Sequence, residues 1–359
     1  MTRWSVALAT HNGARFLEEQ LASLLDQERR PDEIVAYDDG STDGSVGLIE
    51  SFAATAPIPV RVVRGVRRQG SDVGFGRAVS ACSGELVALA DQDDVWHPEK
   101  LATLDATFEH HPRATLVFSD AAVVDASLRP TGQRLWETLG LDGGTVRQLA
   151  GRDALPRLLR QPLVTGATAA VRRWVATLAF PMPTGIPRRH DGWLAVVAAA
   201  LGPVEPVAAP LIDYRQHPAQ QVGISSSSRR LPRLPSRHAD PAAVDSLLQL
   251  CAALLERLEV ARGDVARSTG CPDLEWAGES WAIVSDYQAH LRSRRAVAVL
   301  PALDALRLVA RETRSGHYSR WSSGGSSALA DGLRTLSRPR HLHGASEDAP
   351  DGVAEPGQG

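Results

Sequence analysis

Residues 4–44 read WSVALATHNGARFLEEQLASLLDQERRPDEIVAYDDGSTDG, in which two apolar runs flank a segment with helical periodicity. The run at 5–10 is short and apolar and predicts a buried strand, and a second such run follows at 33–37. Between them, residues 14–26 carry leucines at helical spacing, and Pro31 marks a break afterwards. A strand, a helix and a strand in this order predict a right-handed crossover and a parallel sheet.

The same alternation continues along the chain as far as Tyr214. We predict helices over 45–54, 74–82, 98–108 and 193–200, and strands at 60–63, 86–90 and 116–119. Together these elements indicate one α/β domain over residues 1–224.

The remaining chain has a different composition. Residues 225–237 are rich in serine, arginine and proline and predict a linker. Residues 238–340 predict a helical region. Its first helix would begin at Asp240 and Pro241 and end at Gly263. Apolar residues from Val244 to Leu258 would form one face of this helix. Residues 341–359 are polar and predict a disordered tail.

Composition excludes several classes of function. The 359 residues are 43% hydrophobic and 23% charged, which is typical of a globular protein, and a net charge of −3 argues against a nucleic-acid partner. Cys82, Cys251 and Cys271 have no metal-binding or redox spacing and fit a reducing compartment. No apolar stretch approaches the roughly 20 residues that span a bilayer. We therefore expect a cytoplasmic protein, with any membrane contact peripheral.

Polar clusters follow three of the predicted strands, at 10–13, 38–44 and 91–94. In an open parallel sheet, ligands bind at the carboxyl ends of the strands. Taken singly, the second cluster could be a turn with a helix cap, and the third a solvated loop. However, the three carboxylates of Asp91, Asp93 and Asp94 repel one another unless a cation neutralises them, and Mg²⁺ and Mn²⁺ prefer oxygen ligands. The clusters together predict a nucleotide–metal site.

These clusters belong to an ordered set of motifs. The set is ATHNG at 9–13, DDGSTD at 38–43, SGE at 83–85, DQDDVWHPEKL at 91–101, TGAT at 165–168, HDGW at 190–193 and YRQH at 214–217. In this order, over residues 5–223, the chain resembles the family 2 inverting glycosyltransferases of GT-A fold. The closest subgroup is the bacterial rhamnosyltransferase-like enzymes that build surface polysaccharides. The resemblance implies a Rossmann-like, mostly parallel sheet flanked by helices, here with a C-terminal helical extension.

The resemblance also implies a donor site. Thr10 and Asp39 would meet the nucleobase and ribose, with Asp38 supporting that pocket. Asp91 would hold the ribose or a metal-bound water. Asp93 would bind the cation, Mg²⁺ or Mn²⁺, that bridges the two phosphates of a nucleoside-diphosphate sugar.

The remaining implied roles concern the leaving group and the acceptor. Arg77 would be a charge partner of the diphosphate, and Arg215 and His217 would close over it or complete the metal shell. Asp191 would be the general base. Transfer to an alcohol needs such a carboxylate, and inversion is a single displacement without a covalent intermediate. By its position alone, however, Asp191 could equally be a helix N-cap.

Two features of the sequence, one aromatic and one basic, each allow two interpretations. Trp193 could stack on an acceptor sugar or lie in the core. The segment 317–340 contains four arginines and several leucines with Trp321, and could be a membrane-surface helix or a packed helix with a solvated basic face. His11 has a structural role available in its turn, and we assign it no catalytic part.

Three functions remain open. The first is transfer of rhamnose or a similar sugar from a dTDP or UDP donor to a hydroxyl of a growing polysaccharide or lipid-linked glycan. The second is the same chemistry with another donor sugar, such as GlcNAc, Gal or Glc. The third, a non-catalytic nucleotide-sugar-binding module, is disfavoured because both Asp93 and Asp191 are present.

Overall fold

The computed structural model describes residues 2–218, 220, 240–263 and 274–336. The predicted linker at 225–237, Cys271 and the predicted tail at 341–359 lie outside the described residues.

Strands and helices alternate through the first part of the chain and give way to helices afterwards. The strands are β1 (Trp4–Thr10), β2 (Glu33–Asp38), β3 (Val60–Arg64), β4 (Leu86–Asp91), β5 (Val95–Trp96), β6 (Leu116–Asp125), β7 (Pro130–Arg134), β8 (Ala169–Arg172) and β9 (Val204–Gln216). The helices up to β9 are α1 (Ala14–Leu25), α2 (Ser45–Thr55), α3 (Ser71–Ala81), α4 (Lys100–His110), α5 (Leu135–Thr138), α6 (Gly143–Arg147), α7 (Ala154–Arg160), α8 (Arg173–Ala179) and α9 (His190–Leu201). The later helices are α10 (Pro241–Gly263), α11 (Leu274–Val297), α12 (Ala302–Arg314), α13 (His317–Trp321) and α14 (Gly325–Leu336).

Within the described residues, nine strands form one mixed sheet. Its order is β3-β2-β1-β4-β8-β6-β9-β5, and β7 pairs with β6 outside this order. Neighbours are parallel from β3 to β4, which confirms the predicted parallel pairing. β8 runs antiparallel to both β4 and β6, and β5 runs antiparallel to β9. The α/β class, the GT-A-like sheet flanked by helices and the C-terminal helical region are confirmed.

The central strands are buried on both faces because helices cover the sheet from both sides. Along β1, Val6 and Leu8 face a core that includes Leu17 and Leu21 of α1, whereas Ala7 faces the opposite core. This alternation is the period-two pattern of a strand. The second core contains α3 and α9 together with apolar residues of α10 and α11. α10 and α11 therefore share a hydrophobic core with the sheet.

The predicted apolar face of α10 is confirmed. Val244, Cys251, Leu254 and Leu258 are buried in the core shared with α9. Over the described residues, none of the helices is both long and apolar enough to cross a membrane.

Some predicted element ends are wrong by a few residues. The helix after Pro98 begins at Lys100, two residues later than the first turn predicted for it. α3 begins at Ser71 because Gly70, with φ of 94°, turns the chain into the helix before Gly74. The predicted strand at 116–119 extends to Asp125, since β9 pairs with it along this length.

A buried carboxylate ties the strands together at the amino end of the sheet. Glu33 Oε1 accepts hydrogen bonds from Ser5 Oγ at 2.6 Å, from Ser83 N at 2.6 Å and from Ser83 Oγ at 2.8 Å. Arg61 donates to Glu33 Oε2 at 2.8 Å. Burial alone would raise the pKa of Glu33, but these bonds to the charged form lower it to about 2.

Replacing Glu33 by Gln should lower the free energy of unfolding at pH 7 by about 1–3 kcal/mol, since the bonds to a charged acceptor are lost. The folded pKa lies below the ordinary value of 4.5, so this stabilisation is present above pH 4.5 and is lost as the pH falls towards about 2. Denaturant unfolding at pH 7 and pH 3 measures it, with exposed Glu50→Gln as the control. A cost that stays equal at both pH values would contradict the role of the charge.

Candidate functional site

Two loops at the carboxyl edge of the sheet are joined by hydrogen bonds between side chains and backbone. Asn12 N donates to Ser41 Oγ at 2.9 Å, and Asn12 Oδ1 accepts from Thr42 N at 2.8 Å. Asp43 Oδ2 accepts from Ala14 N at 3.0 Å. The loop after β1 and the loop after β2 therefore form one surface, and their polar residues hold each other in place.

Asp38 and Asp39 are buried in this surface and are engaged by backbone amides. Asp38 Oδ2 accepts from Gly40 N and Ser41 N, whereas its Oδ1 is buried without a partner. Both oxygens of Asp39 accept from Gln69 N, at 2.8 and 2.9 Å, and Oδ2 also accepts from Gly70 N at 2.7 Å. These bonds fix the loop that leads into α3.

Gln92 joins this surface to the loop after β4. Its Oε1 accepts from Thr10 Oγ1 and from His11 N, both at 2.8 Å. A Cβ added at Gly13 would lie 2.3 Å from the same oxygen, so the contact requires glycine there. Sequence analysis did not single out Gln92. Its position between Asp91 and Asp93 was the available signal.

The three carboxylates after β4 crowd one another. Asp91 ends β4 next to Ala9 of β1, and Asp94 is fully buried with its Oδ2 unpartnered. Burial and the neighbouring charge of Asp93 raise the pKa of Asp91 to about 7. Burial, Asp93 and Asp91 together raise the pKa of Asp94 well above its ordinary value. This edge of the sheet holds more negative charge than it can readily keep ionised.

Two residues of the YRQH motif contact the loop that carries these carboxylates. His217 Nε2 lies 2.8 Å from Asp93 Oδ2, and its ring packs against Phe16 at 4.6 Å between centroids. Arg215 is buried, and its Nε donates to Asp93 O at 2.6 Å. Its other nitrogens bond Ala126 O and the carboxylate of Glu19. His217 thus meets Asp93 directly, whereas the guanidinium of Arg215 is directed inward beneath the loop.

Arg77 stands apart from this cluster. It is exposed on α3, and its positive charge acts on Tyr37 of β2.

Asp191 lies at the start of α9, as its second residue. Its Oδ1 accepts from Gly192 N at 2.7 Å and its Oδ2 from Gly166 N at 3.2 Å. The N-cap position itself belongs to Arg189. The charge of Asp191 helps to raise the pKa of Asp91, so the HDGW motif lies at the same edge as the β4 loop.

His190 and Asp72 were missed by sequence analysis. Asp72 Oδ1 accepts from His190 N at 2.9 Å and lies 3.2 Å from His190 Nδ1, while the imidazole stacks on Phe75 at 4.1 Å. Burial lowers the pKa of His190, but the bond to Asp72 and the charges of Asp191 and Asp91 raise it above its ordinary value overall. Adjacency to Asp191 was the only sequence signal.

Two further residues, Trp193 and Lys100, are buried. Trp193 has no exposed surface, and its Nε1 donates to Ala179 O at 2.7 Å, so the interpretation as an acceptor-stacking residue is wrong. Lys100, which sequence analysis also missed, is fully buried. Its Nζ donates to Ala167 O at 2.7 Å and lies 3.6 Å from the Trp96 ring centroid. Burial lowers the pKa of Lys100 well below its ordinary value.

The sequence is similar to glycosyltransferases over part of its length. Residues 5–154 match the model of glycosyl transferase family 2. An uncharacterized glycosyltransferase of Nostoc sp. is 30% identical over 223 residues, which are 60% of this chain and 65% of that protein. The dTDP-rhamnosyl transferase RfbG of Shigella flexneri is 31% identical over 98 residues, or 26% of this chain and 34% of that protein. The chain therefore spans less than two thirds of the length of these relatives.

A solved structure shares the fold. The S. aureus protein TarS (residues 1–349), in complex with UDP-GlcNAc, superimposes with a TM-score of 0.52 at 16% identity, covering 93% of this chain and 89% of that one. The likeness to TarS supports a GT-A-like fold, and residues 5–154 are similar to glycosyl transferase family 2 over that part of the chain.

Asp91→Asn should stabilise the metal-free protein at alkaline pH. Because the folded pKa of about 7 exceeds the ordinary 3.8, the carboxyl group stabilises the fold at low pH, and this contribution is lost as the pH rises through 7. We expect the melting temperature in chelator to rise by about 2 °C or more at pH 8 and by less at pH 5. Thermal melts with exposed Glu18→Gln as the control measure it. An equal gain at both pH values would show that titration of Asp91 is not the cause.

Proposed function

We propose that this chain is an inverting glycosyltransferase that moves a sugar from a nucleoside-diphosphate donor to a hydroxyl of a growing polysaccharide or lipid-linked glycan. One observation carries the proposal. The crowded carboxylates Asp91 and Asp93 share the carboxyl edge of the sheet with Thr10, with His217 and with the carboxylate of Asp191. These groups come from distant parts of the chain, and each has a use in this reaction.

The residues after β4 fit a divalent cation, Mg²⁺ or Mn²⁺. The raised pKa of Asp91 and the unpartnered oxygen of Asp94 both indicate negative charge that an ion would neutralise. Asp93 and His217 would hold it, with Asp91 beside them. When bound, the cation neutralises charge on the departing diphosphate.

Asp191 would act as the general base. Its two amide contacts, from Gly166 and Gly192, orient the carboxylate at the start of α9. The carboxylate would take the proton of the acceptor hydroxyl as that oxygen bonds to the anomeric carbon. The bond from that carbon to the diphosphate oxygen would break on the opposite face, which inverts its configuration.

The other site residues would bind or shape the nucleotide pocket. Thr10 lies at its floor, and Asp38 and Asp39 shape it through the amides that they hold. The exposed Arg77 is available as a charge partner of the diphosphate. For Arg215 we propose a positioning role for Asp93 instead of direct contact with the donor, since its guanidinium is buried.

Rhamnose is our first candidate for the donor sugar, because RfbG, which matches part of this chain, is a dTDP-rhamnosyl transferase. The UDP-GlcNAc bound by TarS makes GlcNAc the alternative, with Gal and Glc after it. A non-catalytic nucleotide-sugar-binding module remains the alternative of another class. It predicts donor binding without sugar transfer.

We also propose a peripheral contact with the inner face of the cell membrane. On α14, Leu329, Leu333 and Leu336 are 63%, 56% and 64% exposed at helical spacing, although Trp321 is buried. The last turn of the neighbouring α12 carries Arg311 and Arg314. An exposed apolar stripe in a region that also carries arginines suits an anionic lipid surface, where a lipid-linked acceptor would lie.

Two substitutions should separate donor binding from chemistry. With Mg²⁺ or Mn²⁺ and a panel of nucleotide sugars, the wild type should release nucleoside diphosphate when an acceptor is present. Asp93→Ala should lose both tight diphosphate binding and activity. Asp191→Asn should bind donor almost normally while turnover falls by about 100-fold or more. Calorimetry and a diphosphate-release assay measure the two quantities.

Glu18→Gln, an exposed change on α1, is the control for both assays. Full activity of Asp191→Asn would remove this residue from the mechanism. Donor binding by the wild type with no transfer to any acceptor would favour the non-catalytic module.

The membrane contact predicts binding to vesicles that contain anionic lipid, weakened by salt. Leu333→Ser with Leu336→Ser should reduce co-sedimentation with these vesicles several-fold, because each exposed leucine contributes apolar area to the contact. Leu139→Ser, which changes an exposed leucine elsewhere, should bind as the wild type does. If the double variant sediments like the control, the stripe on α14 is not the contact.

A further inference from the structure

A cluster of metal-binding side chains lies in the C-terminal helices, and the proposed transfer reaction does not use it. His290 comes from α11, Glu312 from α12 and His317 from α13. One possible ligand atom from each of these residues lies within 4.8 Å of the other two. The three residues therefore meet where three helices join.

Both imidazoles contact the same carboxylate oxygen. His290 Nδ1 lies 2.9 Å from Glu312 Oε2, and His317 Nδ1 lies 3.0 Å from the same oxygen. Ligands 2.0–2.1 Å from a tetrahedral zinc ion are about 3.3 Å apart. A shift of a few tenths of an ångström would therefore open the cluster enough for an ion.

The outer nitrogen of each imidazole already has the partner that a metal ligand needs. His290 Nε2 lies 3.0 Å from Ser322 Oγ, and His317 Nε2 lies 3.3 Å from Asp286 Oδ1. A histidine that binds metal through one nitrogen usually donates its other N–H to a carboxylate or another oxygen, which fixes the ring orientation. Here both rings present Nδ1 inward and Nε2 to such an oxygen.

Burial and charge also suit an ion with one open position. The side chains of His290 and Glu312 are buried, whereas that of His317 is 26% exposed and leaves an entry from solvent. The nearby cation Arg294 is paired through two bonds with Asp331. Its charge is therefore largely neutralised.

We propose that His290, Glu312 and His317 form a Zn²⁺ site, with a water molecule as the fourth ligand. Two imidazoles and one carboxylate are a common zinc ligand set. The ion would join α11, α12 and α13 and so stabilise the helical region that carries the exposed leucines of α14. The competing account is a metal-free network in which Glu312 accepts two imidazole N–H bonds, and it predicts no zinc binding.

The test uses the full chain carrying Asp93→Ala, so that the donor-site cation ligand is removed. Titration with Zn²⁺ in a calorimeter should show one equivalent bound, and the melting temperature should rise with Zn²⁺ relative to chelator. Adding His317→Ala should weaken binding by tenfold or more, and Asp286→Asn should weaken it by about 10- to 100-fold through the outer contact. His110→Ala, which changes an exposed histidine on α4, is the control.

The melt in chelator guards against a folding defect. The His317→Ala chain should melt in chelator at nearly the temperature of its parent, and only the parent should gain stability from Zn²⁺. Binding of less than half an equivalent by the parent, or unchanged binding by His317→Ala, would overturn the site. Because glycosyl transfer is assayed separately with Asp93 intact, failure here leaves the proposed reaction untouched.

Discussion

The site depends on one electrostatic constraint, which is the crowding of three carboxylates within four residues after β4. Asp91, Asp93 and Asp94 cannot all carry charge easily in a buried setting, and the raised pKa of Asp91, to about 7, reflects this. Arg215 is buried against the same loop, where its guanidinium donates to the backbone oxygen of Asp93. The proposed binding of a divalent cation together with a diphosphate rests on this crowding.

The mixed sheet assembles this site from distant segments. Its parallel half, β3-β2-β1-β4, brings the loops that contain Asp39 and Asp91 to one edge. The other half delivers the later motifs. β9 pairs with both β6 and β5 and ends where His217 meets Asp93, and the turn before β8 holds Asp191 through Gly166. Because β8 runs opposite to β4, the turn that precedes β8 lies at the same edge as the loop that follows β4.

The C-terminal helices add a second level of organisation. α10 and α11 share their core with α9, the helix that begins beside Asp191. Farther out, α12, α13 and α14 pack around a small apolar core and a buried polar network that includes His290, Glu312 and the Arg294–Asp331 pair. An apolar stripe remains exposed on α14. The hydrogen bonds of this network join the helices that pack against α14 and so help to fix the position of the stripe.

β5 and the elements between β6 and α9 were not predicted from the sequence. Local patterns did predict the remaining alternation of strands and helices from β1 to β6, the polar loops after β1, β2 and β4, and the apolar face of α10. These features follow from local periodicity and turn chemistry, which neighbouring residues specify. The partner of each side chain could be seen only in the tertiary structure. His217 reaches Asp93 across 124 residues of sequence, Asp39 binds the amides of Gln69 and Gly70, Arg215 is directed inward, and Trp193 lies in the core. Hydrogen bonds and burial depend on distances between segments, and local pattern does not encode those distances.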